Sequence, residues 1–125
     1  MWFATVSNSR FRLRNSSDFD AVFKGNRYRV SSQAFLFLAV ENSLDCSRLG
    51  MVIGKKNVKL ANRRNRVKRA LRESFHQNFK VAAVAIDLVV VARAGIDIHD
   101  KIQMNEQITF LMQKLQKKLE VVSHV

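Results

Sequence analysis

The run Ile86-Asp87-Leu88-Val89-Val90-Val91-Ala92 sets the strongest limit on how this chain folds, because apolar residues occupy both phases of its two-residue period. Only a strand covered on both faces hides such a run, so it is expected at the centre of a sheet. Its neighbours lie upstream. Tyr28 to Val30, Ala34 to Glu41 and Leu49 to Ile53 are rich in aromatic and β-branched residues, with Ser31-Ser32 and the polar stretch Glu41 to Ser47 between them. They read as three consecutive strands, arranged as a meander.

Three helices complete the pattern. Ser16 and Ser17 are N-cap residues, Phe19, Val22 and Phe23 recur at helical spacing, and Gly25-Asn26 stops a short helix over about 17 to 25. From about Asn57 to Phe79 the period is that of a long helix, with Leu60, Val67, Ala70, Leu71, Ser74 and Phe75 on one side. Asp100 with Gln103 forms a capping box ahead of the stripe Ile108, Leu111, Leu115, Leu119 and Val122. The order is αβββαβα. An α+β two-layer sandwich on a four-stranded sheet is the economical architecture, and the passage from strand through long helix to strand implies a βαβ crossover.

A chain of 125 residues buries one core, and with no proline, repeat or low-complexity tract it reads as one domain over 1–125. The ends, 1–9 and 121–125, are expected to be flexible. Apolar residues make up 47%, which excludes a disordered polycation. Charge is the unusual quantity: 22 Lys and Arg oppose 10 Asp and Glu, for a net +12. Such an excess calls for a polyanionic partner, nucleic acid first and an anionic membrane second. No apolar run reaches the roughly 18 residues that span a bilayer, and Met1 to Val6 is too short for a signal-peptide core. The single cysteine, Cys46, reads as a plain thiol, so the expected compartment is the reducing cytoplasm.

The charge is concentrated. Lys55 to Arg72 holds nine basic residues and no acid: Lys55, Lys56, Lys59, Arg63, Arg64, Arg66, Lys68, Arg69 and Arg72. A solvated helix mixes signs at i,i+4, whereas these cations repel one another until Glu73. A partner's phosphates relieve that repulsion. On a helical wheel Asn65, Lys68, Arg69 and Arg72 lie opposite the apolar stripe, with Arg66 beside them and Arg63 and Arg64 flanking it. Arginine takes two phosphate oxygens or stacks on a base, and Asn65 reads a base edge or a 2′-hydroxyl, a mixture that favours RNA.

Other chemistries fail on spacing. Gly50-Met51-Val52-Ile53-Gly54-Lys55-Lys56 approaches a phosphate-binding loop, but it is one residue short between the glycines and lacks the Ser or Thr that holds Mg²⁺. No nucleotide cofactor is expected. His76, His99 and His124 are scattered, no nucleophilic triad is present, and Asp97 and Asp100 read as helix caps. A DNA-reading helix-turn-helix needs two adjacent helices, yet the basic helix lies between strands. It also shows small Ala70 and Ser74 where a membrane-surface helix shows bulky residues.

Gly54-Lys55-Lys56, Arg64-Asn65-Arg66-Val67-Lys68-Arg69 and Arg72-Glu73-Ser74-Phe75 together resemble the signature of the protein subunit of bacterial ribonuclease P. Phe11-Arg12-Leu13-Arg14 and Asp18-Phe19 to Val22-Phe23 look like that family's N-terminal segment, and Asp87 to Arg93 looks like its late strand. The resemblance covers about residues 10 to 120. It implies a part in tRNA 5′ maturation, in which a large RNA subunit cleaves the precursor with Mg²⁺ held by RNA and substrate, and the protein holds no metal. It further implies that Arg64, Asn65, Arg66, Lys68, Arg69 and Arg72 face the catalytic RNA. Phe19 and Phe23, with Phe35, Phe37 and Arg12, would line a cleft for the 5′ leader. By pattern alone Phe19 and Phe23 are core residues; only the resemblance makes them ligand contacts. A left-handed βαβ crossover, against the usual hand, is implied in the same way. The rival reading is a structural RNA-binding protein of the ribosomal type.

Overall fold

The computed structural model describes residues 11–79, 84–98 and 100–123. Helix α1 spans Ser16–Gly25, strands β1, β2 and β3 span Tyr28–Ser31, Phe35–Glu41 and Arg48–Val52, and helix α2 spans Ala61–Phe79. Strand β4 spans Ile86–Ala92, a 3₁₀ turn spans Ala94–Ile98, and helix α3 spans Lys101–Ser123. The predicted α+β class and element order hold. The expectation for the ends falls outside the described residues, apart from 121–123, which continue α3.

The sheet runs β1-β2-β4-β3. β4 is central, as its sequence demands, but β1, β2 and β3 are not a meander: β4 enters between β2 and β3. It pairs antiparallel with β2, Phe37 opposite Val90, and parallel with β3, Gly50 opposite Val89. The parallel pair leaves α2 as the crossover. Upstream of α1, Arg12 bridges to Leu49 and the Leu13 amide donates to the Leu49 carbonyl at 3.1 Å, which extends the sheet past β3.

Alternation along the strands produces two apolar faces. Phe35, Phe37, Ala39, Leu88 and Val90 pack with Leu71, Phe75, Leu111 and Leu115 beneath α2 and α3. Leu38 and Val89 point the other way and are covered by Val22 and Leu13. The second helical layer is therefore not confined to one face, because α1 lies across the opposite one.

Local chemistry sets the ends of the elements. Asn15, rather than Ser16 or Ser17, caps α1, its Oδ1 accepting the Asp18 amide at 3.0 Å, and the Asn26 side chain closes the other end on the Val22 and Phe23 carbonyls. The α3 capping box is as predicted: Asp100 Oδ1 accepts the Gln103 amide at 2.8 Å, and Gln103 Oε1 accepts the Asp100 amide at 2.9 Å. α2 begins four residues later than its periodicity suggests. The preceding segment turns instead, with the Val58 amide on the Gly54 carbonyl at 3.0 Å, and Leu60, read as part of the stripe, is 59% exposed.

One buried charge ties these parts together. Asp87, 7% exposed within β4, accepts from Arg48 Nε at 2.9 Å and Nη2 at 2.7 Å, and from Asn42 Nδ2 at 2.8 Å. Arg48 also comes within 3.9 Å of Asp18 on α1. A bidentate pair of this kind satisfies a charge that would otherwise destabilise the strand. We predict that Arg48→Ala, by leaving Asp87 unpaired, lowers stability by about 3 to 5 kcal/mol in urea unfolding. Arg48→Ala combined with Asp87→Ala recovers much of that loss; a single-variant loss below about 1 kcal/mol would contradict the assignment.

Candidate nucleic-acid interface

Helix α2 buries Val67, Leu71, Phe75 and Phe79 against the sheet and carries no acid in its first turn, so the positive end of its dipole adds to the side-chain charge. Asn65, Arg66 and Arg69 are exposed, as are Lys55, Lys56 and Lys59 in the preceding loop. Arg63, Arg64, Lys68 and Arg72 are half-buried. The structure thus places the sequence-predicted cations on α2 and the loop before it, with two changes of role. Arg64 Nη1 donates to the Val58 and Lys59 carbonyls, both at 2.9 Å, so its guanidinium holds the basic loop onto the helix. Arg72, expected opposite the apolar stripe, instead leans to its flank.

There it meets Arg12. The two side chains share a small pocket with Phe11, Met51, Phe75 and His76. Nε of each is shielded from solvent and donates no hydrogen bond among the described residues. Burial, reinforced by the Arg12 charge, lowers the Arg72 pKa from its ordinary value, yet a guanidinium remains protonated at neutral pH. Two cations in a pocket lined by no carboxylate among the described residues form a local arrangement that an anion's oxygen stabilises. His76 packs edge-on to Phe11 at 6.2 Å. His99 and His124 lie outside the described residues.

The other face of the sheet carries the second candidate surface. Phe19 is half-buried and Phe23 is 43% exposed on α1. Leu36, Val40 and Val91 lie half-buried in the same apolar cluster as Phe19. Gly50 makes this packing possible, since a Cβ there would come within 2.5 Å of the Phe19 ring.

Three predicted leader contacts do not fit this surface. Phe35 and Phe37 are 0% exposed and lie edge to face, 6.3 Å apart, inside the core beneath α2 and α3. Strand alternation turns them away from α1. Arg12 is excluded for a related reason: its bridge to Leu49 directs it to the α2 side, whereas its neighbour Leu13 packs under α1. The strand residues that the structure does set beside Phe19 are Leu36, Val40 and Val91, which the sequence reading did not single out. β2 is apolar in both phases, so no residue pattern distinguished the face under α1 from the face under α2. Among the described residues no group of three His, Cys, Asp or Glu side chains converges to hold a metal ion, and no helix is long and apolar enough to cross a membrane.

A mixed sheet with a cation-dense helix on one face and a short aromatic-bearing helix on the other defines a basic α+β protein suited to a polyanionic partner. A family model described as Ribonuclease P matches residues 8–116. The ribonuclease P protein component of Pseudomonas aeruginosa is 45% identical over 104 residues, covering 83% of this chain and 76% of that relative. The RNase P protein of Thermotoga maritima, solved in complex with 1-(4-fluorophenyl)-2-thiourea, superposes with a TM-score of 0.69 at 34% identity, over 84% of this chain and 97% of that one. The Staphylococcus aureus RNase P protein gives a TM-score of 0.74 at 28% identity, over 83% and 94% of the two chains. The chain belongs to the ribonuclease P protein family.

The Arg12–Arg72 repulsion carries a signed prediction. Arg72→Met keeps the apolar stem and removes one cation, so it raises stability by a few tenths to about 1 kcal/mol at low ionic strength, and the gain shrinks in roughly 1 M salt. Thermal unfolding at both salt concentrations checks this; a loss of stability at low salt would contradict it.

Proposed function

We propose that this chain grips the ribonuclease P RNA through α2 and its preceding loop, and the single-stranded 5′ leader of precursor tRNA across the α1 face, so supporting endonucleolytic removal of the leader. The observation that carries this reading is the division of labour by the sheet. Lys55 to Arg72 places nine cations and no acid on the α2 side, and the Phe19, Phe23, Leu36 and Val91 surface lies on the α1 side.

The two surfaces suit different parts of an RNA. Guanidinium groups and Asn65 match phosphates and 2′-hydroxyls of a folded RNA, with Arg12 now counted among them. Unstacked leader bases gain about 1 to 3 kcal/mol each on aromatic rings with little sequence preference, which suits an enzyme acting on many precursors. In this reading the metal and the cleavage chemistry belong to the RNA and substrate, and the protein binds and orients in the cytoplasm. A ribosomal-type RNA binder would need the basic surface but not the α1 surface.

Substitutions separate the two surfaces. Arg66→Ala or Arg69→Ala weakens binding of the ribonuclease P RNA and reduces the salt slope by about 0.7 to 1 per lost phosphate contact. Phe23→Ala leaves that binding near wild type and weakens binding of leader-bearing precursor by the assembled enzyme, roughly 5- to 150-fold for a lost stacking contact of about 1 to 3 kcal/mol. Equal losses in both assays from both variant classes would sink the division.

A further inference from the structure

The charge on α2 does not end at the helix. A groove of about 240 Å³ opens where the first turns of α2, the 3₁₀ turn Ala94–Ile98 and the start of α3 meet. Its floor is apolar: Val67, Ile96 and Met104 are each at most 5% exposed, so the bottom of the groove is formed by the core itself. Its rim is basic, with Arg63 and Arg66 from α2 and Lys101 from α3. Among the described residues the rim carries one carboxylate, Asp100, and one of its oxygens is committed to the α3 cap, where it accepts the Gln103 amide at 2.8 Å.

We infer, on the basis of the RNA-binding reading above, that this groove receives one unpaired nucleotide of the RNA bound by α2, with Lys101 as a phosphate contact outside the basic helix. Charge complementarity selects the occupant: among the described rim residues Arg66 and Lys101, with Arg63 beside them, outnumber the one carboxylate and favour an anion. The volume far exceeds the roughly 10 to 15 Å³ that a single water needs on the same measure, so it admits more than a phosphate oxygen. A base splayed out of a loop or bulge enters edge-first against the apolar floor, where the polarizable Met104 sulfur makes a favourable contact with an aromatic ring. Its phosphate is left at the rim between Arg66 and Lys101. An α-helical start at Lys101 adds the positive end of a second dipole to the same rim. The arrangement differs from the Arg12–Arg72 pocket, which has room for about 20 Å³, enough for one oxygen and no base.

The test uses the full chain and the ribonuclease P RNA. Lys101→Ala, at an exposed position, weakens RNA binding about 3- to 10-fold and lowers the salt slope by about 0.7 to 1, while Lys117→Ala, exposed further along α3, changes neither. A photo-cross-linking p-benzoylphenylalanine placed at position 101 labels a single unpaired nucleotide. Lys101→Ala indistinguishable from Lys117→Ala, with Arg66→Ala still impaired, overturns the groove and leaves the function of α2 standing. Cross-links confined to base-paired nucleotides overturn it as well. If Arg66→Ala also binds normally, the RNA-binding reading fails and the groove with it.

Discussion

Everything in this structure follows from the need to bury β4 on both faces. Seven residues with a single charge cannot be satisfied by one helical layer, so α2 and α3 cover Leu88 and Val90 while α1 and Leu13 cover Val89. That requirement turns the sheet into a partition. A chain with one amphipathic sheet face would pack helices on one side; this one carries them on both, separated by the thickness of a sheet. The charge that β4 does carry, Asp87, is used to anchor the partition, because Arg48 links it both to β3 and, at 3.9 Å from Asp18, to α1.

The partition also explains how the protein tolerates its electrostatics. A net +12 on 125 residues is self-repulsive, and most of the repulsion is held where the fold does not depend on it. Asn65, Arg66 and Arg69 face solvent, and Val67, Leu71 and Phe75 do the packing. Where repulsion does enter the structure, at Arg12 and Arg72, it falls on the seam between the N-terminal segment and α2.

Much of this was legible in the residues. The central strand, the α2 and α3 stripes and the Asp100–Gln103 box were visible because each is a local pattern with one dominant physical cause. Strand order was not: neighbouring strands are usually joined in sequence, and nothing in β3 announces that it pairs with β4 instead of β2. The basic surface was read correctly in composition but not in detail, since Arg64 and Arg72 are long enough to reach loop carbonyls or a neighbouring strand from a helical position that looks outward-facing. The α1 surface was the least legible part. Phe35 and Phe37 stand in a strand that is apolar in both phases, so only the fold shows that they turn into the core beneath α2 and α3, and the aliphatic Leu36 and Val91 beside Phe19 look like ordinary strand residues.

The central claim is that the two faces serve two RNAs in one reaction, and leader-dependent stimulation tests it most directly. Multiple-turnover cleavage of a precursor tRNA by ribonuclease P RNA at low Mg²⁺, with and without this chain, should show strong stimulation that disappears when the leader is cut to about one nucleotide. Stimulation that is absent while RNA binding is intact, or that is unaffected by leader length, would contradict the account.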